Sequence, residues 1–301
     1  MNSLAGKLRR KLKALKSTLA TRPSFYSPLV DVIDVIRRGD TFWHPDPQDL
    51  GIDFHTREQT ALLAACAPFL AQYNYPAMGA ADAKLDAFYD GNSQFSYLDA
   101  RMLFALMQLW RPARIIEVGS GYSTLLMEDV NRRLLDGATQ ITSIEPYPRP
   151  FMQRLGKRGI TLIEQKVQDV PFDRFTELQA GDVLFIDSSH VVKTGSDVNA
   201  LIFGVLPRLS AGVRIHFHDV FLPHEYPESW VREGRSWNEQ YLVRALLQFG
   251  TNHFRMLFSS AYAATCLPDV VAGALGGTPQ SGGSLWIEKL SPRQQIQNSS
   301  R

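Results

Sequence analysis

From residue 114 onward, short apolar segments alternate along the chain with segments in which apolar residues recur at helical spacing. A short apolar run between turn signals is typical of a buried strand, and the helical pattern is typical of a helix packed on a sheet. Seven strands are predicted in this way: residues 114–118, 141–144, 160–163, 183–186, 213–217, 254–258 and 284–287. Repeated strand–helix units predict a parallel sheet covered by helices on both faces.

The last two predicted strands are separated by a glycine-rich segment, residues 273–283, and we predict no helix between them. Two strands joined in this way form a hairpin, so the last strand is expected to be antiparallel. Helical patterns before residue 111 predict a helical N-terminal extension. The predicted fold is therefore α/β: a doubly wound, mostly parallel seven-stranded sheet with its last strand antiparallel.

Two helix starts are also predicted from capping patterns. Asp99 and the small residues before it are placed to cap the helix that ends near Trp110. Ser236, with Glu239 three residues later, has the spacing of a capping box for the helix that follows. An acceptor-recognition role is the alternative for residues 235–241, because the aromatic residues there could stack on a sugar face and Asn238 and Glu239 could bond its hydroxyls.

Composition and charge narrow the class of protein. The chain has 301 residues, of which 45% are hydrophobic, enough for a substantial core. Its two cysteines lie far apart in sequence, so we expect no disulfide and a reducing, cytoplasmic setting. Residues 1–30 contain seven basic residues and no acid, whereas the other 271 contain 25 basic and 30 acidic residues. A mildly acidic body is a poor candidate for binding nucleic acid.

The N-terminal segment has a pattern of its own. Its leucines at positions 4, 8, 12, 15 and 19 would form one apolar stripe flanked by lysine and arginine on a helix. This pattern predicts peripheral membrane contact through residues 1–20, or else packing on the body or on a partner, or a frayed solubilising tail. Four parts are expected: a basic amphipathic segment (1–21), a helical or irregular extension (22–110), the α/β domain (111–290) and a disordered tail (291–301). The oligomeric state stays open.

A glycine loop joins the first predicted strand to the helix after it. Gly119 and Gly121 allow a tight turn that a ligand can approach closely. A dinucleotide-binding loop would have a third glycine where Thr124 stands. The acid Glu117 suits a ligand with an ammonium or sulfonium group better than a pyrophosphate. Glu145, at the end of the second strand, is placed to accept hydrogen bonds from ribose hydroxyls.

Acids and histidines follow the fourth and fifth predicted strands. Asp187 comes directly after one, and His218 and Asp219 end the other. The carboxyl ends of neighbouring parallel strands meet at the ligand-binding edge of such a sheet. Three oxygen or nitrogen ligands there predict a site for a divalent cation. The alternative is that the acids cap helices and the histidines are core residues.

The sequence Glu-Val-Gly-Ser-Gly-Tyr-Ser at residues 117–123, the acid after strand two and the strand order resemble class I S-adenosylmethionine-dependent methyltransferases over about residues 92–290. The resemblance implies a Rossmann-like methyltransferase fold and S-adenosylmethionine as the cofactor. The residues that it assigns to cofactor binding are Gly119, Ser120, Gly121 and Ser123 in the loop at the methionine part, Glu145 at the ribose, Gln168 and Asp169 near the adenine, and Glu117 indirectly, through hydrogen bonds near the amino group.

The sequence Asp-Ser-Ser-His at residues 187–190, followed by an acid at the next strand end, resembles metal-dependent sugar O-methyltransferases of the macrocin and mycinamicin type. The resemblance implies that Asp187 and Asp219 bind Mg²⁺ and that His190 is the general base. His218 stands where the pattern has a carboxylate, so either the metal differs or His218 is not a direct ligand. Catechol-type relatives use a lysine after the metal-binding acid, which makes Lys193 the second candidate for the base.

The function expected from these features is S-adenosylmethionine-dependent O-methylation of a small-molecule or glycan acceptor, assisted by a divalent cation. Two other functions stay open. A nicotinamide-dependent oxidoreductase is favoured by Glu145 but opposed by Glu117 and Thr124. A non-catalytic binding protein on the same fold is opposed by the complete set of acids and histidines.

Overall fold

The computed structural model describes residues 27–39, 43, 45–79, 87–277 and 280–291. The chain divides into two compact units, residues 1–45 with 225–237, and residues 46–224 with 238–301. The predicted segment 1–21 and, apart from residue 291, the predicted tail lie outside the described residues. In the described part of the chain, no helix is both long and apolar enough to cross a membrane.

Helices and strands alternate through the larger unit, as the hydrophobic pattern predicts. The helices among the described residues include α1 (Val32–Arg38), α2 (Thr56–Leu70), α3 (Tyr97–Trp110), α4 (Tyr122–Leu134), α5 (Phe151–Gly156), α6 (Asp173–Thr176), α7 (Asp197–Asn199), α8 (Glu228–Arg232), α9 (Glu239–Phe249), α10 (Ser260–Cys266) and α11 (Pro268–Leu275). A π-helical turn (Ala200–Val205) and a 3-10 turn (Leu206–Arg208) extend α7, and further 3-10 turns are Pro47–Leu50 and Val167–Asp169. The strands are β1 (Arg114–Val118), β2 (Gln140–Ile144), β3 (Thr161–Ile163), β4 (Val183–Ile186), β5 (Arg214–Phe217), β6 (Phe254–Ser259) and β7 (Leu285–Lys289).

The seven strands form one sheet in the order β3-β2-β1-β4-β5-β7-β6. β7 lies antiparallel between β5 and β6, and the other strands are parallel to one another. The prediction of a doubly wound, mostly parallel sheet with an antiparallel last strand is therefore confirmed. The chain winds outward from β1 to β3, then returns to β4 on the other side of β1, so the winding direction changes between β1 and β4.

The two faces of the sheet bury separate cores because side chains alternate along each strand. In β4, Val183 and Phe185 pack in one core, with residues of α2, α3 and α4. Leu184 and Ile186 point to the other face and pack with residues of α9 and of the helical stretch after α7. Burial on both faces explains why β4 reads as an unbroken apolar run.

The connection between β6 and β7 differs from the prediction. The prediction of no helix there is wrong, because α10 and α11 occupy most of the connection. The Ser259 side chain accepts a hydrogen bond from Tyr262 N and caps α10, and Pro268 occupies the first turn of α11. Serine at an N-cap and proline at a first helical position are helix-start signals. The antiparallel pairing of the two strands nevertheless holds.

Of the two predicted caps, one holds in position only and the other is wrong. Ser96, one of the small residues before Asp99, is the N-cap residue of α3, but its side chain makes no capping hydrogen bond. α3 begins at Tyr97, so Asp99 lies inside its first turn, and its carboxylate accepts hydrogen bonds from Gly283 N and Ser284 N at 2.8 and 2.9 Å. Ser236 does not cap α9, because the residue before that helix is Asn238 and Ser236 Oγ accepts from Val30 N at 3.1 Å. Glu239 is thus the first residue of α9 and has another role.

Candidate active site

A cavity of about 540 Å³ opens at the carboxyl ends of the strands, where the winding direction changes. Its lining includes segments that follow β1, β2, β3 and β4, among them Gly119, Glu145, Gln168 and Asp187. Ligands of open α/β sheets bind at this position, and the volume is within the range of small-molecule sites. Lys193 also lines the cavity, with an exposed side chain.

Gly119 lies where the segments after β1 and β4 approach each other closely. Its φ is +99°, a conformation that residues with a side chain rarely adopt, and a Cβ there would overlap the carbonyl oxygen of Asp187. Its N–H donates to Ile144 O at 2.9 Å. The position therefore requires glycine for two independent reasons, and it links the loop after β1 to Asp187.

The glycine loop, residues 117–124, is held together by its own polar side chains. Glu117 is fully buried and accepts hydrogen bonds from Ser123 Oγ and Thr124 Oγ1, each at 2.7 Å. Thr124 Oγ1 also accepts from Gly121 N at 2.9 Å. Thr124, which departs from the dinucleotide-binding pattern, thus fixes the turn. Burial raises the pKa of Glu117 to about 8, although the hydrogen bonds from Ser123 and Thr124 oppose this shift.

The remaining predicted cofactor residues lie in different settings. Arg149 covers the loop: its guanidinium donates to Ser120 O at 3.0 Å and would lie 2.9 Å from a Cβ at Gly121. Glu145 is half-buried and accepts from Tyr147 N at 2.8 Å. Gln168 donates to Gly195 O at 3.1 Å. Both Gln168 and Asp169 are exposed, but only Gln168 lines the cavity.

Four predicted residues at the ends of β4 and β5 come together with Glu239; we call these five the acid–histidine cluster (Asp187, His190, His218, Asp219 and Glu239). His190 Nε2 lies 3.4 Å from Asp187 Oδ1 and 3.5 Å from Asp219 Oδ2. His218 Nδ1 lies 3.4 Å and 3.6 Å from the same two carboxylate oxygens. The two carboxylates therefore lie between two imidazoles.

The other nitrogen of His190 is held by Glu239. His190 Nδ1 lies 2.9 Å from Glu239 Oε2, and this carboxylate also accepts from Ser188 Oγ at 3.1 Å. Glu239 is only 1% exposed, so its charge is compensated almost entirely within the protein. With Nδ1–H donated to Glu239, the lone pair of the neutral imidazole is on Nε2, towards Asp187 and Asp219.

Two residues of the cluster have strained backbones. His190 has φ +59° and Asp219 has φ +56°, the left-handed region that residues with a side chain seldom occupy. Asn238 N and Glu239 N both donate to His190 O, at 3.0 and 3.2 Å, and so hold this turn against the start of α9. Such strain is concentrated at functional sites in proteins, because the surrounding structure must maintain it.

The electrostatics of the cluster favour positive charge. Burial opposes the charged form of His190, but pairing with Asp187 and Glu239 raises its pKa to about 10. Burial likewise opposes the charged form of His218, but Asp219, Asp187 and Asp99 raise its pKa to about 9. Burial raises the pKa of Asp219, whereas the two imidazoles outweigh burial at Asp187 and hold its pKa well below the usual value.

One ligand atom each from Asp187, His218 and Asp219 lies within 4.8 Å of the other two, a spacing that one metal ion can span. His218 is 5% exposed, and its Nδ1 has no hydrogen-bond partner in the described part of the chain. A buried polar atom without a partner is costly, and a cation at this point would satisfy it. Two carboxylates and an imidazole are a suitable donor set for a divalent transition-metal ion.

Sequence reasoning missed two carboxylates that support this site. For Glu239 the sequence predicts a helix cap or a contact to acceptor hydroxyls, whereas its actual contact with His190 joins residues 49 positions apart, which no local pattern reveals. Asp99 is predicted only as a helix cap, but its Oδ2 lies 3.8 Å from His218 Nε2. The only signal in the sequence is an acid in the first turn of a helix, which is also the signal of a cap.

Comparison with known proteins agrees with this architecture. A family described as "Methyltransferase domain" matches residues 116–220. An uncharacterized protein from Archaeoglobus fulgidus is 36% identical over 159 residues, which are 52% of this chain and 72% of the archaeal protein.

Two solved structures are also similar. A coclaurine N-methyltransferase bound to N-methylheliamine and S-adenosylhomocysteine has 10% identity, a TM-score of 0.35, and coverage of 85% of this chain and 90% of its own. A cyclopropane-fatty-acyl-phospholipid synthase-like protein from Lactobacillus casei has 12% identity, a TM-score of 0.34, and coverage of 66% and 96%. At these TM-scores the superpositions do not bear on function. Residues 116–220 match a methyltransferase domain, and the chain belongs to the family of the archaeal protein.

Proposed function

We propose that the protein transfers the methyl group of S-adenosylmethionine to a hydroxyl oxygen of a sugar or similar acceptor, assisted by a divalent cation. The observation that carries the proposal is the position of His190. Its Nε2 lies 3.4 and 3.5 Å from two carboxylates that are placed to bind a cation, and its Nδ1 is held by a third. This arrangement fits a general base for a hydroxyl bound beside the cation.

The cavity next to the cluster fits the cofactor. Gly119 lines the cavity where the loop meets Asp187, Glu145 would present a half-buried carboxylate to ribose hydroxyls, and Gln168 lies further along the same cavity. Asp187 borders both the cavity and the cluster, so a ligand in the cavity would lie beside the proposed cation site. The sulfonium of S-adenosylmethionine supplies an electrophilic methyl group.

Asp187, Asp219 and His218 would hold the cation. When bound, a divalent cation lowers the pKa of a nearby hydroxyl and of neighbouring imidazolium groups. His190 Nε2 then accepts the hydroxyl proton while the oxygen forms its bond to the methyl carbon and the carbon–sulfur bond breaks. Glu239 stabilises the resulting imidazolium through Nδ1–H. The products are a methyl ether, S-adenosylhomocysteine and a proton held on His190.

Lys193 is a weaker candidate for the base. Its side chain is exposed, whereas His190 is 5% exposed and has carboxylates on both sides of its ring. A proton acceptor that is fixed before the reaction transfers a proton more efficiently than one that must be ordered from solvent. The sugar acceptor itself is supported by the resemblance at residues 187–190.

The test is methyl transfer from labelled S-adenosylmethionine to a panel of sugars and catechols, before and after treatment with a chelator. We expect transfer to at least one hydroxylated acceptor, its loss with chelator and its return on adding a divalent ion. Full activity in chelator would contradict the role of the cation but not the methyl transfer. Thermal stabilisation by NAD and not by S-adenosylhomocysteine would instead favour an oxidoreductase.

A further inference from the structure

The proposed cation site has an imidazole where the sequence pattern that it resembles has a carboxylate. We infer that the site selects a divalent transition-metal ion, such as Mn²⁺ or Co²⁺, over Mg²⁺, because His218 supplies a nitrogen ligand that Asp99 holds in position. This inference rests on the cation of the proposed function and specifies its chemical class. It also makes Asp99, which lies outside the cation site, a positioning residue.

The first observation is the state of His218 Nδ1. His218 is only 5% exposed, and its Nδ1 has no hydrogen-bond partner among the described residues. This atom lies 3.4 Å from Asp187 Oδ1 and 3.6 Å from Asp219 Oδ2. A buried nitrogen aimed between two carboxylates, with no hydrogen bond of its own, has the environment of a metal ligand.

The second observation concerns the other ring nitrogen. Asp99 Oδ2 lies 3.8 Å from His218 Nε2, within ion-pair range, although longer than a direct hydrogen bond. A carboxylate on this side favours the proton on Nε2 and leaves the lone pair on Nδ1, towards Asp187 and Asp219. Imidazoles that bind metals usually donate their second N–H to a carboxylate or carbonyl, which fixes the tautomer, and Asp99 is the carboxylate nearest that role here.

Asp99 is itself fixed by the backbone. Its two carboxylate oxygens accept hydrogen bonds from Gly283 N and Ser284 N, at 2.8 and 2.9 Å, and the residue is 5% exposed. A Cβ on Gly282 would overlap this carboxylate, so the chain before β7 approaches it closely. The carboxylate that faces His218 therefore has a defined position that does not depend on a flexible side chain.

Packing restricts rotation of the His218 ring. The ring lies 5.2 Å from the Phe95 ring and 6.1 Å from the His216 ring, measured between centroids. His216 is itself buried, with Nε2 2.8 Å from Ser284 Oγ, and stacks on Phe185 at 3.8 Å. Since both neighbours belong to the core, His218 has little room to turn away, and its nitrogen is an obligatory part of the site.

The donor set decides the metal class. Mg²⁺ prefers oxygen ligands in near-ideal octahedral geometry, and a fixed nitrogen donor disfavours it. Imidazole binds Mn²⁺, Fe²⁺ and Co²⁺ with affinities that rise along this series. Carboxylates suit Mg²⁺ and Mn²⁺ alike, whereas an imidazole suits transition-metal ions, so the imidazole decides the preference of this mixed set. The site should therefore bind Mn²⁺ and Co²⁺ more tightly than Mg²⁺.

Direct detection of the nitrogen ligand provides the first test. The full-length protein with S-adenosylhomocysteine is loaded with Mn²⁺ alone and studied by electron spin-echo spectroscopy. We expect modulation from one coordinated imidazole nitrogen in the wild type and in His55→Asn, since His55 lies outside the cluster and pairs with Asp53. The modulation should be absent in His218→Asp. This readout does not depend on activity.

Calorimetric titration with Mg²⁺ and Mn²⁺ separately gives the preference. The wild type should bind Mn²⁺ at least about ten-fold more tightly than Mg²⁺, and His218→Asp should lower this ratio about ten-fold by restoring an oxygen donor. Asp99→Asn should weaken Mn²⁺ binding about 10- to 100-fold, as is typical when the partner of a metal-binding imidazole is removed. Unfolding temperatures without metal identify a variant that fails to fold.

The outcomes separate this inference from the proposed function. Equal binding of the two ions by the wild type, without nitrogen modulation, would overturn the inference and leave a Mg²⁺-assisted methyltransferase. Mn²⁺ binding with nitrogen modulation that Asp99→Asn leaves unchanged would overturn the role of Asp99. Binding of neither ion would overturn both the inference and the cation of the proposed function, whereas methyl transfer would be judged by its own assay.

Discussion

The glycine loop and the acid–histidine cluster lie on opposite sides of the same peptide contact, between Gly119 and Asp187, but they satisfy their polar groups in opposite ways. In the loop, both oxygens of Glu117 accept hydrogen bonds from the neighbouring Ser123 and Thr124. In the cluster, His218 Nδ1 has no hydrogen-bond partner in the described part of the chain, and the backbones of His190 and Asp219 have positive φ.

The difference shows which region is complete without a ligand. The loop stabilises its own turn, so its sequence can be recognised from residues that are neighbours in the chain. The cluster assembles residues from the ends of β4 and β5 and the start of α9, and its unpaired nitrogen and strained backbones are tolerated only with support from outside. We therefore expect substitutions in the two regions to have different consequences.

Gly119→Val should have the largest effect because it breaks both regions at once. The new side chain would overlap the Asp187 carbonyl and force a branched residue into φ +99°. Strained backbone alone costs about 1–3 kcal/mol. We expect a clear fall in unfolding temperature and loss of binding to both S-adenosylhomocysteine and Mn²⁺, measured by calorimetry.

The matched control for this prediction is Gly181→Val. Gly181 has φ +91°, but no atom within 4 Å of the position of a Cβ. The Gly181→Val variant should be less stable because of the strained backbone, but it should still bind S-adenosylhomocysteine and Mn²⁺. If Gly119→Val binds either ligand normally, the loop and the cluster do not share the contact that the structure assigns to them.

His190→Ala should have the next largest effect, confined to the rate. Loss of a general base typically lowers turnover about 10²–10⁴-fold. Binding of S-adenosylhomocysteine and of the cation should persist, because neither depends on His190 in the proposed arrangement. Turnover with labelled cofactor and the two binding titrations check this. Lys193→Ala should have a smaller effect, and the reverse order would assign the base to Lys193.

Much of the fold was predictable because the information is local. The apolar runs of β1 and β4 and the helix-spaced residues of α4 lie in single short segments, and the burial of β4 on both faces makes its pattern continuous. The two helices that the sequence does not predict, α10 and α11, are those with a weak local pattern. Both are short, and α11 ends inside the glycine-rich segment with Gly273 in its last turn, so the glycines predict a loop where a helix forms.

The candidate site was predictable only in part. Asp187 and His218 could be placed at one sheet edge because the parallel order of strands brings their ends together. Glu239 and Asp99 could not, because each reaches the cluster from a helix distant in sequence. A residue that supports another residue's orientation has no requirement on spacing, so its sequence signal is no stronger than that of a helix cap.

Glu239→Gln should have an intermediate effect, and it tests whether the contact of Glu239 with His190 matters for turnover. The amide keeps the shape but removes the charge that favours Nδ1–H on His190. We expect turnover to fall about 10- to 100-fold, as for carboxylates that orient imidazoles at metal sites, with KM for the cofactor unchanged. Glu177→Gln, an exposed acid that pairs with Arg174, is the control and should match the wild type. An equal loss in cofactor binding would indicate a structural role for Glu239.

Glu117→Gln should have the smallest effect and tests the self-contained character of the glycine loop. Burial raises the pKa of Glu117 from 4.5 to about 8, so the folded protein holds a proton that the unfolded chain releases. The stabilisation from that proton is fully present below pH 4.5 and is lost as the pH rises to about 8. Relative to the variant, the free energy of unfolding of the wild type should fall across this window by at most about 1.4 kcal/mol per pH unit.

Urea denaturation at several pH values measures the difference, and Ser123→Ala, which removes a hydrogen bond that lowers the pKa, should extend the window upward. Parallel curves for wild type and Glu117→Gln would mean that the charge of Glu117 is already balanced in the folded protein, and that the loop, like the cluster, depends on groups beyond its own sequence.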